Sequence, residues 1–233
     1  MEPICGIGFD LDHTLAIDNR LERVAFLRLL EVLLTEGGET VGTLADEIDS
    51  IDALLVRQRS GEFSIDEAVR RFVAARRLEP AQYHVELFRK NAVDMVDEFV
   101  VPLPGVKPTL DALRERGIVV AVLSNGWNPL QVRKAERADF RGPLLVSSEI
   151  DVQKPAPRAF EMLLATLGTD PRQTWYVGDD PYGDVAGAQA LGMGTVWINW
   201  ERKQYPADLR APSHTIADFD DLLELLPAAA RVS

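Results

Sequence analysis

Ile4-Cys5-Gly6-Ile7-Gly8-Phe9-Asp10-Leu11-Asp12-His13-Thr14-Leu15 is an apolar run that closes on two carboxylates. Such a run places charge at the carboxyl end of a buried strand, where open α/β sheets bind their ligands. Residues i and i+2 of an extended chain share a face, so Asp10 and Asp12 can converge on one small volume. Like charges that close repel, and one must be neutralised by a proton, a cation or a lysine. Taken alone, the pair also fits solvated turn aspartates, with Asp12 capping a following helix. The remainder of the chain weighs between these readings.

Downstream of Pro102-Leu103-Pro104-Gly105, strand and helix patterns alternate. Ile118-Val119-Val120-Ala121-Val122-Leu123 is fully apolar, as expected of a strand buried on both faces of a parallel sheet, and it ends in Ser124-Asn125-Gly126. Leu144-Leu145-Val146, Trp175-Tyr176-Val177 and Thr195 to Ile198 are further strands. Helices are expected over Val106 to Leu113, over Phe160 to Leu167, over Ala186 to Leu191 and over Phe219 to Leu226. The alternation predicts an α/β fold with a doubly wound parallel sheet.

Between the first strand and this alternation the texture is helical. Leu21, Val24, Ala25, Leu27 and Leu30 recur at helical spacing, as do Leu44, Ile48, Ile51, Leu54 and Leu55. Gly37-Gly38 and Ser60-Gly61 separate helices, and Ser64 with Glu67 reads as a capping box. The expected organisation is a catalytic core of residues 1–17 and 102–233 with a helical bundle, residues 18–101, inserted as a cap. Arg70, Arg71, Arg76 and Arg77 in the bundle read as a solvated face.

A net charge of −12 argues against a basic nucleic-acid surface and against anionic membranes. No apolar run reaches membrane-span length, and the N-terminus lacks a signal-peptide pattern, so a cytoplasmic protein is expected. The single cysteine, Cys5, sits in the first strand and reads as a small core side chain.

Polar groups recur where the strands end: Asp10 and Asp12, then Ser124, then Asp179, with Asp184 beyond a Pro181–Gly183 loop, and Lys154-Pro155 before a helix. Carboxylates gathered on one rim need a cation, and hard oxygen ligands without His or Cys point to magnesium. Ser124 with the amides of Asn125 and Gly126 suits a phosphate. The set is an inventory for phosphoryl transfer.

This constellation resembles the haloacid dehalogenase superfamily of phosphohydrolases. The family's first motif, Asp-x-Asp-x-Thr, is Asp10 to Thr14. Its strand-ending Ser or Thr is Ser124, its Lys is Lys154 before Pro155, and its Gly-Asp followed by a second Asp is Gly178, Asp179 and Asp184. His13 stands where many members have Gly or Asp. A helical insertion after the first motif resembles the subclass with an α-helical cap on a Rossmann-like core.

The resemblance implies a magnesium-dependent phosphatase acting on a small phosphorylated metabolite. Asp10 is then the nucleophile, Asp12 the acid and base, and Thr14 the holder of the turn. Ser124, Asn125, Gly126 and Lys154 bind the phosphoryl group. Magnesium sits on Asp10, the main-chain carbonyl of Asp12 and Asp179, with Asp184 direct or through water. Asp180 falls outside the pattern. Trp127, next to the Ser124 loop, could face substrate, whereas His84 and His214 read as surface or packing residues.

Other readings carry less. Gly6-x-Gly8 invites a dinucleotide-binding oxidoreductase, but these glycines lie inside the strand and the third glycine is missing. A non-catalytic phospho-acceptor module needs no long helical insertion and no Asp two residues past the acceptor. A haloacid dehalogenase has no use for Asp12, because halide leaves without a proton, while a phosphomutase could use the same site. The sequence leaves open the substrate, among phosphoglycolate, sugar phosphates, nucleoside monophosphates and pyrophosphate, and the oligomeric state.

Overall fold

The computed structural model describes residues 3–226. Strand β1 (Gly6–Phe9) is followed by β2 (Ala16–Ile17) and by helices α1 (Leu21–Thr35), α2 (Leu44–Arg59), α3 (Ile65–Ala74), α4 (Gln82–Asp94) and the short α5 (Val96–Phe99). After β3 (Val101–Pro102) come α6 (Val106–Glu115), β4 (Val119–Ser124), α7 (Leu130–Arg137), β5 (Leu144–Val146), the short α8 (Ser147–Ile150) and α9 (Pro157–Leu167). The chain continues through β6 (Thr174–Gly178), α10 (Gly187–Ala190), β7 (Gly194–Ile198), β8 (His214–Ile216) and α11 (Asp221–Leu225). These elements form two compact units, one of residues up to Ile17 together with those from Val101 onward, the other Asp18–Val100.

In the first unit six parallel strands run in the order β5-β4-β1-β6-β7-β8. The fold is therefore the expected α/β doubly wound sheet. β1 lies between β4 and β6, so strand order reverses beside it, and a crevice at the carboxyl ends follows. The core on one face joins Ala121, Leu123, Phe160, Leu163 and Tyr176. Gly8 makes this packing possible: a Cβ there would stand 2.4 Å from Leu163 Cδ2 and 2.9 Å from Tyr176 Cδ2. The glycine lets α9 approach the sheet. Pro157 opens α9, and Gly168, at φ 67°, closes it in the left-handed region.

Two expectations about this first unit need correcting. The sheet extends one strand further than the apolar runs indicate, because β8 reads His-Thr-Ile and pairs on its one neighbour, β7. His214 is thus a strand residue, its ring 5.1 Å from that of Trp175. The last helix is also shorter than its pattern, spanning Asp221–Leu225.

The second unit is all helical and closes around Phe26, whose ring centroid lies 4.9 Å from that of Phe72 and 4.4 Å from that of Phe88. Ser64 caps α3, accepting from the Glu67 amide at 3.3 Å, while the Glu67 carboxylate turns to Arg71. The reciprocal capping box forms instead at Thr43 and Asp46. Arg76 departs from the expected solvated face. It is wholly buried, paired with buried Glu47, and its guanidinium carbon lies 3.3 Å from the Phe72 ring centroid. His84 is also buried, accepting from the Ala81 amide and bonding Glu36 at 3.0 Å. β2 and β3 pair antiparallel, Ala16 with Pro102 and Ile17 with Val101, so the chain leaves and re-enters the sheet unit at one place. No helix among the described residues is long and apolar enough to cross a membrane.

Candidate active site

The Asp10 amide still belongs to the sheet, donating to Val177 O at 2.9 Å. The chain then turns sharply: the amides of Leu15 and Ala16 both donate to Leu11 O, and the His13 amide donates to Ala16 O at 2.8 Å. The turn needs φ 60° at His13, a left-handed conformation in which His is enriched several-fold over most residues. Trp200 braces it, its indole N–H donating to His13 O at 2.9 Å and its ring lying 2° from the plane of the imidazole. Thr14 is fully buried, and its hydroxyl donates a long 3.4 Å bond to Asp10 Oδ2.

Lys154 arrives from the segment before α9. Its ammonium donates to Asp10 Oδ1 and to Asp184 Oδ1, each at 2.6 Å. The Lys154 backbone is pinned by the Asn125 side chain, whose Nδ2 donates to Lys154 O and whose Oδ1 accepts from Lys154 N. Asp184 Oδ2 accepts from the Asp180 amide at 3.0 Å, and the Asp180 carboxylate caps the turn by accepting from Tyr182 N. A Cβ on residue 178 would lie 2.2 Å from Asp184 Oδ2, so only glycine lets that carboxylate tuck under the strand end. Trp197 holds the Asp179 main chain by donating to its carbonyl at 2.9 Å.

Asp10, Asp179 and Asp184 each present a carboxylate oxygen within 4.8 Å of the others. Burial pushes Asp179 up to about 9, reinforced by the charges of Asp10 and Asp184. Burial likewise lifts Asp184 to about 7 against the pull of Lys154. Asp10 is raised too, burial and Asp12 outweighing Lys154. Burial works against the Lys154 ammonium, yet Asp10 and Asp184 hold it well above its usual value. One ammonium thus faces three crowded carboxylates, and the deficit of positive charge is what a bound cation would supply.

Asp12 points elsewhere. Its Oδ1 accepts from Lys134 Nζ at 2.7 Å and its Oδ2 from Gln131 Nε2 at 2.8 Å. Gln131 Nε2 also donates to Ser124 Oγ at 2.6 Å. Gln131 and Lys134 were not anticipated. The available signal was two polar residues, three apart, on the inward face of the helix that follows the Ser124 loop. The Gly126 amide donates to Ser147 Oγ at 3.0 Å, and its carbonyl accepts from the same hydroxyl. The structure thus places Asn125 on the lysine segment and Gly126 on Ser147. Trp127 is buried, as are Trp175 and Trp197.

Residues 6–192 match a protein-family model described as haloacid dehalogenase-like hydrolase. The chain belongs to that family. Among relatives of this haloacid dehalogenase-like hydrolase, glyceraldehyde 3-phosphate phosphatase of Pyrococcus furiosus is 27% identical over 97% of this chain and 94% of its own. Pyrimidine 5'-nucleotidase YjjG of Escherichia coli is 30% identical, over 58% of this chain and 60% of its own length. For some curated relatives, then, the matched stretch spans only about half to three fifths of their length. In fold, the hydrolase is similar to 2-haloacid dehalogenase from Pseudomonas syringae, with a TM-score of 0.70 and 27% identity over 95% of this chain and 97% of that one.

The site of this haloacid dehalogenase-like hydrolase fits a hard divalent cation. Its converging donors are carboxylate oxygens, and the cluster contains no His or Cys. The raised carboxylates mark the positive charge it lacks without one.

Proposed function

We propose that this hydrolase is a magnesium-dependent phosphatase that cleaves a small phosphorylated metabolite through an aspartyl phosphate on Asp10. The observation that carries the reading is the separation of the two neighbouring acids. Asp10 lies against the Lys154 ammonium and beside the carboxylate cluster, whereas Asp12 is held by Lys134 and Gln131. Two acids so differently surrounded suit two roles.

In the first step an Asp10 carboxylate oxygen attacks phosphorus, and the P–O bond to the leaving group breaks. Asp12 gives its proton to the departing oxygen, which leaves as an alcohol. In the second step Asp12 takes a proton from water, whose oxygen attacks the phosphorus of the aspartyl phosphate, releasing phosphate and restoring Asp10. Lys154 offsets charge on Asp10 and the phosphoryl oxygens, and Ser124 with the Asn125 amide binds those oxygens, the Gly126 amide being engaged by Ser147 Oγ. Thr14 keeps the turn that aims both acids. Asp10, Asp179, Asp184 and the Asp12 carbonyl are the groups that would hold magnesium, which supplies neutralisation of phosphoryl charge when bound. The helical unit Asp18–Val100, inserted where β2 and β3 pair, would act as the cap that chooses the substrate.

Relatives whose names state phosphatase or nucleotidase activity support a phosphate ester as substrate. Others are named dehalogenases. Asp12 favours the phosphatase, because halide leaves without a proton. The reading includes a cytoplasmic setting. A panel of phosphoglycolate, sugar phosphates, nucleoside monophosphates and pyrophosphate tests it through phosphate release. Release should require magnesium, stop with EDTA and return on adding the metal, and 2-haloacids should yield no halide. Halide release without phosphatase activity, or full activity in metal-free buffer, would overturn it.

A further inference from the structure

Gln131 and Lys134 lie one turn apart on α7, on the same side of the helix. Both are buried, at 2% exposure each. A buried lysine is costly unless paired, and a Leu or Met would fill the same volume without that cost. Here the ammonium meets Asp12 Oδ1 at 2.7 Å, a charge-assisted bond. Gln131 crosses the loop because residue 126 is glycine: a Cβ there would lie 2.7 Å from Gln131 Cδ and Nε2.

A carboxylate only accepts, so the amide face of Gln131 toward Asp12 must be its NH2. The same nitrogen donates to Ser124 Oγ at 2.6 Å. The Ser124 oxygen is therefore an acceptor on that side, and its own proton is turned away from Gln131, free to donate to another oxygen. None of this involves residues of the recognisable motifs beyond Asp12 and Ser124 themselves.

We propose that Gln131 and Lys134 are positioning residues: they fix the Asp12 carboxylate in one rotamer and orient the Ser124 hydroxyl as a donor, setting the acid/base and the phosphoryl-binding hydroxyl as one unit. The inference rests on the reading of Asp12 as the acid/base of a phosphatase.

The test uses the full chain with magnesium, and Lys134→Met and Gln131→Met, each alone and combined with Asp12→Asn. Turnover is measured on p-nitrophenyl phosphate and on glycerol phosphate. Each single variant should lower kcat about tenfold or more on glycerol phosphate and less on p-nitrophenyl phosphate, whose leaving group needs little proton help. Gln131→Met should also raise KM, because Ser124 loses its orientation. In the Asp12→Asn background the further loss of kcat should stay within about twofold, since both residues act on kcat through Asp12, while the KM effect of Gln131→Met, which runs through Ser124, should persist. Melting curves check folding; if Lys134→Met does not fold, Gln131→Met, which leaves no charge unpaired, carries the same comparison. Losses equal on both substrates and additive with Asp12→Asn would reduce the pair to packing and overturn the proposal. An active wild type with indifferent variants overturns the positioning role alone. A wild type that hydrolyses no phosphate ester overturns the phosphatase reading and this inference with it.

Discussion

Asp10 and Asp12 are two residues apart and identical in chemistry, and their surroundings make them different. Asp10 shares one lysine with Asp184 in a buried cluster, and Asp12 accepts from Lys134 and from the Gln131 amide that also reaches Ser124. Asp10→Asn should abolish turnover and leave no acid-stable trapped phosphoenzyme. Asp12→Asn should slow an alkyl phosphate by about 10²–10⁴-fold yet still form aspartyl phosphate from p-nitrophenyl phosphate. Rapid quench with labelled substrate reads both, and equal losses on the two substrates would remove Asp12 from leaving-group protonation. Asp10, Ser124 and Asp179 were legible because polar residues closing apolar runs mark strand ends, and Lys154 because a Lys-Pro stands just before a helix of the alternation. Gln131 and Lys134 were not, since a polar residue on a short helix looks the same in sequence whether it faces water or a carboxylate.

At the scale of elements, loops and helix starts deliver the site. The start of α7 brings Gln131 and Lys134 to the Asp12 carboxylate and Gln131 to Ser124 at the end of β4, and the Asn125 side chain ties the β4–α7 connection to the segment carrying Lys154. In the helical unit, Glu47 of α2 reaches Arg76, just beyond the end of α3. Burial drives the Arg76 guanidinium below its ordinary value, and Glu47 opposes this. Removing one partner leaves the other charge buried and alone, so Glu47→Gln should cost about 3–5 kcal/mol. Amide exchange should register the loss in Asp18–Val100 while β1, β4 and β6 keep their protection. A change below about 1 kcal/mol would match an exposed pair instead. Element existence was readable where apolar periodicity was strong, as in β4, α9 and α1. β8 escaped because a three-residue edge strand reading His-Thr-Ile carries no such signal.

For the whole molecule, the crowded carboxylates couple metal, proton and stability. The folded values of Asp179 and Asp184 lie above the ordinary 3.8, at about 9 and about 7. A raised folded value means that the folded state holds its protons more tightly than the unfolded chain does. This contribution to stability is therefore fully present below the ordinary aspartate value. It declines as pH rises, through about 7 for Asp184 and about 9 for Asp179, and then levels off. Metal-free protein should accordingly melt at falling temperature across that window. A cation replaces those protons, so the rise in Tm on adding magnesium should be larger above pH about 7 than below it. Calorimetry of the EDTA-treated and magnesium-loaded protein at several pH values reads both trends. A magnesium shift independent of pH would show that the carboxylates do not bind it.

By itself the sequence determined the alternation that makes an α/β sheet, the long helical insertion after the first strand, and the acids, hydroxyl and lysine that belong to one rim. These are local matters: periodicity, chain polarity and the residue types that strand ends select. Only the tertiary structure decided that Arg76 is buried, that Asn125 and Gly126 are occupied by Lys154 and Ser147, and that Asp12 is held by two residues of α7. Each depends on which neighbour fills the space beside a side chain. That neighbour is set by strand order and helix approach, distances across the chain of 21 to 122 residues in these contacts, and no local pattern carries it.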